Sequence, residues 1–204
     1  MKKISYSLNL GIVGIEDSGK EIFINYLKSK RIVDKSIIDL DRDHFIVFKQ
    51  IPIKIRIFLA DDLNQFNSNF EKINKFDVLI IALNLNNLSA TDDLKKENFD
   101  DFRKIFSFWG VSILVGIDVN RIFRLPPSPK NFRLSKDSLI KKAKDLDVLY
   151  CFEIKYKYND LKDLFVLILE DFLIKIQLQS PELFDQAKVY GNELISKYKI
   201  QDDK

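Results

Sequence analysis

Leu8-Asn9-Leu10-Gly11-Ile12-Val13-Gly14-Ile15-Glu16-Asp17-Ser18-Gly19-Lys20 is the stretch on which the fold turns. Leu8 to Ile15 is a short apolar run ending in a glycine-containing turn. Lys20 to Lys30 follows with Ile22, Phe23, Tyr26 and Leu27 at helical spacing, so the order is strand, loop, helix. The chain has 6 glycines, and Gly11, Gly14 and Gly19 all fall here, concentrating backbone freedom at one place. Gly14 to Lys20 reads G-x-x-x-x-G-K. In that pattern the glycines let backbone N–H groups converge on phosphate oxygens, the helix N-terminus adds partial positive charge, and the lysine reaches the terminal phosphates. Gly14, Asp17, Ser18, Gly19, Lys20 and Glu21 are therefore the first candidate nucleotide-binding residues.

Outward from this loop, His44 to Phe48 and Ile53 to Leu59 predict an antiparallel pair, with Gln50, Ile51 and Pro52 as the turn. Asp77 to Leu85 is an apolar strand, and Asp92 to Trp109 carries Leu94, Phe99, Phe102, Ile105, Phe106 and Trp109 at helix spacing, which places Trp109 in the core. Val111 to Ile117 is the next strand. Arg124 to Leu134 holds three of the 5 prolines, Pro126, Pro127 and Pro129, and predicts an exposed loop. Ser135 caps a helix running to Leu146, Val148 to Ile154 is the last strand, and Asp160 to Gln177 is a helix. Ser180-Pro181-Glu182 opens a further helix with Leu183, Phe184, Ala187, Tyr190, Leu194 and Tyr198 on one face. The helix from Asp160 is apolar beyond one stripe, at Val166, Leu167, Leu173 and Ile174, a surplus for the C-terminal helix or a partner to cover. The alternation predicts an α/β fold: a mostly parallel six-stranded sheet with one antiparallel edge strand, covered on both faces, with ligands beyond the carboxyl ends of the strands. Residues 4–177 form the domain, and residues 180–204 a C-terminal helical extension packed on it or on a partner.

Composition narrows the function classes. Of 204 residues 46% are hydrophobic, and 33 Lys and Arg against 30 Asp and Glu leave +3 with no block of one sign, which argues against nucleic-acid binding through bulk charge. One His (His44, expected as a strand residue) and one Cys (Cys151) starve a zinc site, a His-based triad and a redox CxxC pair of parts. No secretory pattern opens the chain, so a cytoplasmic protein is expected. Val78 to Leu83 and Leu164 to Leu169 are far shorter than the roughly 20 residues of a membrane span. Lys2 and Lys3 stand where N-myristoylation needs glycine, and Gln201-Asp202-Asp203-Lys204 lacks a prenylatable Cys, so no direct membrane anchor is expected.

With the loop, the element order and the later segments taken together, residues 4 to about 177 resemble the Ras-like small GTPases. The resemblance implies a P-loop NTPase-type three-layer sandwich that binds GTP or GDP with Mg2+. It also implies roles for particular residues. The position after the lysine, a magnesium-ligating hydroxyl in the family, is Glu21. The D-x-x-G motif followed by Gln becomes Asp61-Asp62-Leu63-Asn64-Gln65: Asp61 matches the residue that reaches magnesium through water, Gln65 matches the catalytic residue that orients the attacking water, and Asn64 replaces the glycine. The switch threonine has one hydroxyl counterpart between Arg31 and His44, Ser36, set among Asp34, Asp39, Asp41 and Asp43. Glu21, Ser36 and Asp61 are thus the candidate metal ligands. The guanine-reading N-K-x-D falls on Ile117-Asp118-Val119-Asn120, where one register replaces the Asp by Asn120 and the other keeps Asp118. The S-A-K motif survives only as Lys157 of Lys155-Tyr156-Lys157. Asn159 to Phe165 resembles the start of the family's final helix closely, so the scaffold is kept better than the site.

Losing two or three charge-assisted contacts at about 2 kcal/mol each weakens binding by about 10³–10⁴. Phosphoryl transfer, which relies on a positioned metal and water, suffers more. The expected function is a small-GTPase-like protein with an eroded nucleotide site, acting mainly as a protein-interaction or scaffold component alongside other GTPase-like or adaptor proteins, with weak or absent GTP hydrolysis. The alternative is a guanine-nucleotide switch with an altered magnesium site. A kinase or ATPase of another class would need an arginine-bearing lid, for which only Arg121, Arg124 and Arg133 are placed. The proline loop and the C-terminal helix are the expected partner surfaces.

Overall fold

The apolar run around Leu10 forms β1 (Tyr6–Val13), and a loop containing one 3-10 turn (Glu16–Ser18) leads into α1 (Glu21–Lys30). The computed structural model describes residues 3–30, 43–73, 75–92, 94–127, 129 and 133–198. Ser36, with Asp34, Asp39 and Asp41, lies outside the described residues, as do Lys2 and the terminal residues from Gln201. β2 (Asp43–Phe48) and β3 (Ile51–Ala60) form the antiparallel pair, with Asp43 opposite Arg56. The turn between them is Lys49-Gln50, both in the left-handed region at φ 46 and 66. Two such residues are what a tight hairpin with the natural strand twist requires. The turn is therefore earlier than the sequence placed it, and Ile51 and Pro52 belong to the strand.

After β3 come α2 (Leu63–Phe70), β4 (Val78–Asn84), a 3-10 turn (Leu88–Thr91) and α3 (Lys96–Ile105). Then follow β5 (Val111–Ile117), the short α4 (Val119–Ile122), α5 (Lys136–Asp145), β6 (Tyr150–Ile154), α6 (Asn159–Gln179) and α7 (Pro181–Tyr198). The six strands make one sheet in the order β2-β3-β1-β4-β5-β6. Every neighbouring pair except β2–β3 is parallel. Alternation along β4 sends Ile80 to one face and Leu79 and Ile81 to the other. The first face is covered by α1, α6 and α7 through Phe23, Phe165 and Phe184. The second is covered by α2, α3 and α5 through Phe66, Phe102 and Leu139. Phe66 stands edge-on to Phe76 and Phe102 with ring centroids 5.0 and 5.6 Å apart, so the second face is an aromatic core.

The helix expected from Asp92 to Trp109 ends at Ile105, and the chain reverses through Ser107 at φ 43. That reversal turns Phe108 inward and leaves Trp109 92% exposed, so Trp109 is not a core residue. The surplus apolar face of α6 is only partly covered: Leu173 is buried, but Ile174 is 58% and Leu178 78% exposed. α7 packs against the β2–β3 hairpin, and Phe184, Ala187, Tyr190 and Leu194 are buried there. Gly191 makes this possible, because a Cβ at that position would sit 1.7 Å from the Gln50 carbonyl oxygen. No described helix is long and apolar enough to cross a membrane.

Candidate functional site

The loop after β1 leaves toward one face of the sheet, while the loops after β3 and β4 leave toward the other. Folds of this kind open a crevice at that place, beyond the carboxyl ends of the strands. Gly14 is held down by donating its N–H to the Ala60 carbonyl at 3.1 Å, and a Cβ there would meet the Ala82 oxygen at 2.7 Å. Gly19 takes φ 82, a conformation that only glycine adopts without strain, and packs against Ile117 and Val119. Ser18 is fully buried and donates its N–H to Ile15 O at 3.0 Å. Its Oγ is buried with no hydrogen-bond partner among the described residues. Asp17 and Glu21 point to solvent, and the Asp17 carbonyl accepts a 3.0 Å bond from Asn84 Nδ2.

Lys20 decides the character of the site. It is only 8% exposed, and its ammonium donates to the Gly14 carbonyl, to the Ala60 carbonyl at 3.3 Å and to Asp61 Oδ1. The lysine that the motif aims at a phosphate is thus turned onto oxygens of its own chain, and a carboxylate supplies the negative charge. Gln65 is likewise engaged in the backbone. Its N–H donates to Asp62 Oδ1 at 2.8 Å, and its Oε1 accepts from the Asp61 N–H at 2.7 Å, which together cap the first turn of α2.

At the far end of the crevice Asp118 is buried and caps α4. It accepts from Asn86 Nδ2 at 3.2 Å and pairs with Arg133 at 2.8 Å. Asn120 donates its N–H to Asn86 Oδ1 at 2.9 Å and its Nδ2 to the Pro126 carbonyl at 2.8 Å. Lys157 is exposed, with its ammonium 5.8 Å from the Phe123 ring centroid. Arg121 lies over Tyr156 at 4.3 Å and bonds its hydroxyl. The structure thus gathers Asp17, Asp118 and Asn120 into one polar network through Asn84 and Asn86, and gathers Gly14, Lys20 and Asp61 into another. Glu21 and Lys157 stand outside both. Sequence reasoning missed Asn84 and Asn86, gave Asp62 no role of its own, and weighed Arg133 only as a lid arginine. The signal was there in Asn84-Leu85-Asn86-Asn87, an asparagine-rich step directly off the end of an apolar strand.

These residues do not fit a magnesium-bound triphosphate as they stand. The Lys20 ammonium, expected to face phosphate, and the Asp61 carboxylate, expected to face the metal, are bonded to each other, and the Asp118 carboxylate, expected to read the base, is bonded to Arg133. Among the described residues no three His, Cys, Asp or Glu side chains come together as a metal site. A cavity of about 100 Å³ does border the loop, between Gly14, Asp62 and Leu94, but Ser18, Gly19 and Lys20 are not in its wall. Compared with known proteins, the chain matches no family model and no curated protein.

Proposed function

We propose that the chain is a small-GTPase-like protein on a P-loop-type scaffold whose nucleotide site has become a structural polar core. It works chiefly as a protein-interaction or scaffold component, with other GTPase-like or adaptor proteins as partners and with weak or absent GTP turnover. One observation carries this reading: Lys20 is buried and neutralised by Asp61, with the Gly14 and Ala60 carbonyls completing its bonds. A nucleotide must displace that carboxylate before it gains the lysine, and a charge-assisted bond of about 1.5–3 kcal/mol opposes it by roughly one to two decades in affinity. Glu21 adds negative charge at the same helix end.

Fluorescence titration with labelled GTP, GDP and ATP, with and without magnesium, tests the reading on three proteins. Wild type and Lys20→Ala are expected to show no saturable micromolar binding. Asp61→Ala, which frees Lys20, is expected to gain affinity by about tenfold or more. Guanine-preferring wild-type binding that Lys20→Ala abolishes would overturn it. That result would establish the second reading, a guanine-nucleotide switch with an altered metal site. The observation favouring this alternative is that the Asp61 side chain is 57% exposed, so a competing anion can reach the pair.

A further inference from the structure

The end of the molecule opposite the glycine loop, where the parallel strands begin, carries a feature that the nucleotide-site reading does not use. Trp109 projects there between two hollows. One, of about 590 Å³, is bounded by Arg103, Lys104 and Phe108. The other, of about 430 Å³, is bounded by Lys75, Phe76 and Lys175. Further apolar side chains stand exposed at this end: Ile105 at the close of α3, Leu149 ahead of β6, and Ile174 and Leu178 on the last turns of α6. Leu149 is tied to the start of β5 by its N–H bond to Ser112 Oγ, two residues after the hollows' shared Gly110.

We propose that this end is a self-association face, on which two copies of the chain dock about a two-fold axis with Trp109 of each copy seated in a hollow of the other. Three observations favour a second copy as the occupant. First, the ridge and the hollows lie on one surface of one chain, and each hollow has room for an indole. A protruding side chain beside a hollow that can accept it is the self-complementarity that a closed, isologous dimer requires. Second, the charges are balanced. Each cation lining the hollows pairs with a carboxylate of its own chain: Lys75 with Asp77 at 3.5 Å, Arg103 with Asp147 at 3.0 Å, Lys104 with Asp101 at 3.6 Å and Lys175 with Asp171 at 2.8 Å. A face with both signs in balance meets its own copy without like-charge repulsion, whereas an anionic lipid surface or a strongly acidic partner gains nothing net from it. Third, the area suffices. Trp109 alone brings about 150–250 Å². The four aliphatic side chains raise the apolar surface to most of the roughly 800 Å² per partner in a standard interface.

Trp109 is the only tryptophan in the chain, so its emission reports on this face directly. The test is sedimentation velocity of the full chain over a concentration series, with the emission maximum recorded at each point. The expected result is a monomer–dimer equilibrium in which dimer formation shifts the emission to shorter wavelength. Trp109→Ser is expected to weaken the dimer by about tenfold or more while leaving the circular dichroism unchanged, since the side chain is exposed. Leu178→Asp keeps the fluorophore and is expected to lose both the dimer and the shift. A chain that stays monomeric at every concentration, or a dimer that survives in both variants, overturns the proposal. So does a blue shift produced by phosphatidylserine vesicles on a chain that remains monomeric, which would assign the face to a membrane. The two sites share no residue, so this outcome is independent of the nucleotide titration.

Discussion

Asp118 shows how one side chain can serve a motif or a structure. Its carboxylate is 4% exposed and receives Arg133, the Asn86 amide and the Arg121 N–H, so its removal leaves an arginine and a helix end without their acceptor. Asp118→Ala is expected to cost about 2–3 kcal/mol in a urea unfolding series, less than a fully buried pair because Arg133 reaches partly into water. A residue that only reads a base would cost binding and leave unfolding unchanged, so the same variant separates the two roles. Cys151 offers a second test at this scale. Burial pushes its thiol above the ordinary range, Lys136 opposes that shift, and Glu153 adds to it. Alkylation at neutral pH is therefore expected to be slower than for a free thiol and to speed up as pH rises, as mass spectrometry over time would show.

Among the elements, α2 and α7 each rest in part on a contact with a segment distant in sequence, Phe66 with Phe102 and Gly191 with the Gln50 carbonyl. Leu63 to Phe70 reads Leu-Asn-Gln-Phe-Asn-Ser-Asn-Phe, in which three Asn, one Ser and two Phe of low intrinsic preference outnumber Leu and Gln. It is helical because Asp62 caps it and because Phe66 packs among Phe76, Phe102 and Phe106. Asp62→Ala is expected to lower stability by about 1 kcal/mol, read from the shift in melting temperature. For α7 the contact is Gly191 against the Gln50 carbonyl. Gly191→Ala forces the helix off the hairpin and is expected to cost about 2–3 kcal/mol, with faster tryptic cleavage at Lys188 and Lys197 as the local readout. β1, α1 and α6 were legible to within two residues at their ends because each carries its own apolar pattern. The end of α3 was not, since the apolar spacing continues through Trp109 and the chain's next glycine is Gly110. Within the site, the glycine loop was legible for the same local reason. Its closure was not: Lys20 finds Asp61 across 41 residues, and Asn84 finds the Asp17 carbonyl across 67.

For the whole molecule, α7 is part of the domain's core rather than an attachment to it. Phe184 and Ala187 belong to the same buried cluster as β1 and α1, while Tyr190 and Leu194 enclose Phe45 of the edge strand. Burying three large side chains, Phe184, Tyr190 and Leu194, contributes at most about 5–9 kcal/mol at roughly 1.5–3 kcal/mol each, an upper bound because the unfolded chain already hides some of that surface. Domains of ordinary stability hold about 5–15 kcal/mol in total, so this one helix accounts for a sum comparable to the net stability. Removing residues 180–204 would also uncover Phe45 on the edge strand β2 and Leu173 and Ile176 on α6, adding apolar surface beside an edge where strands can pair with other chains. The shortened chain, residues 1–179, is therefore expected to lose its cooperative thermal transition and to aggregate at concentrations where the full chain is soluble. Differential scanning calorimetry with light scattering on the two chains checks this. A sharp transition retained within a few degrees of the full chain would make α7 an attachment after all, and would leave the β2–β3 edge open for a partner.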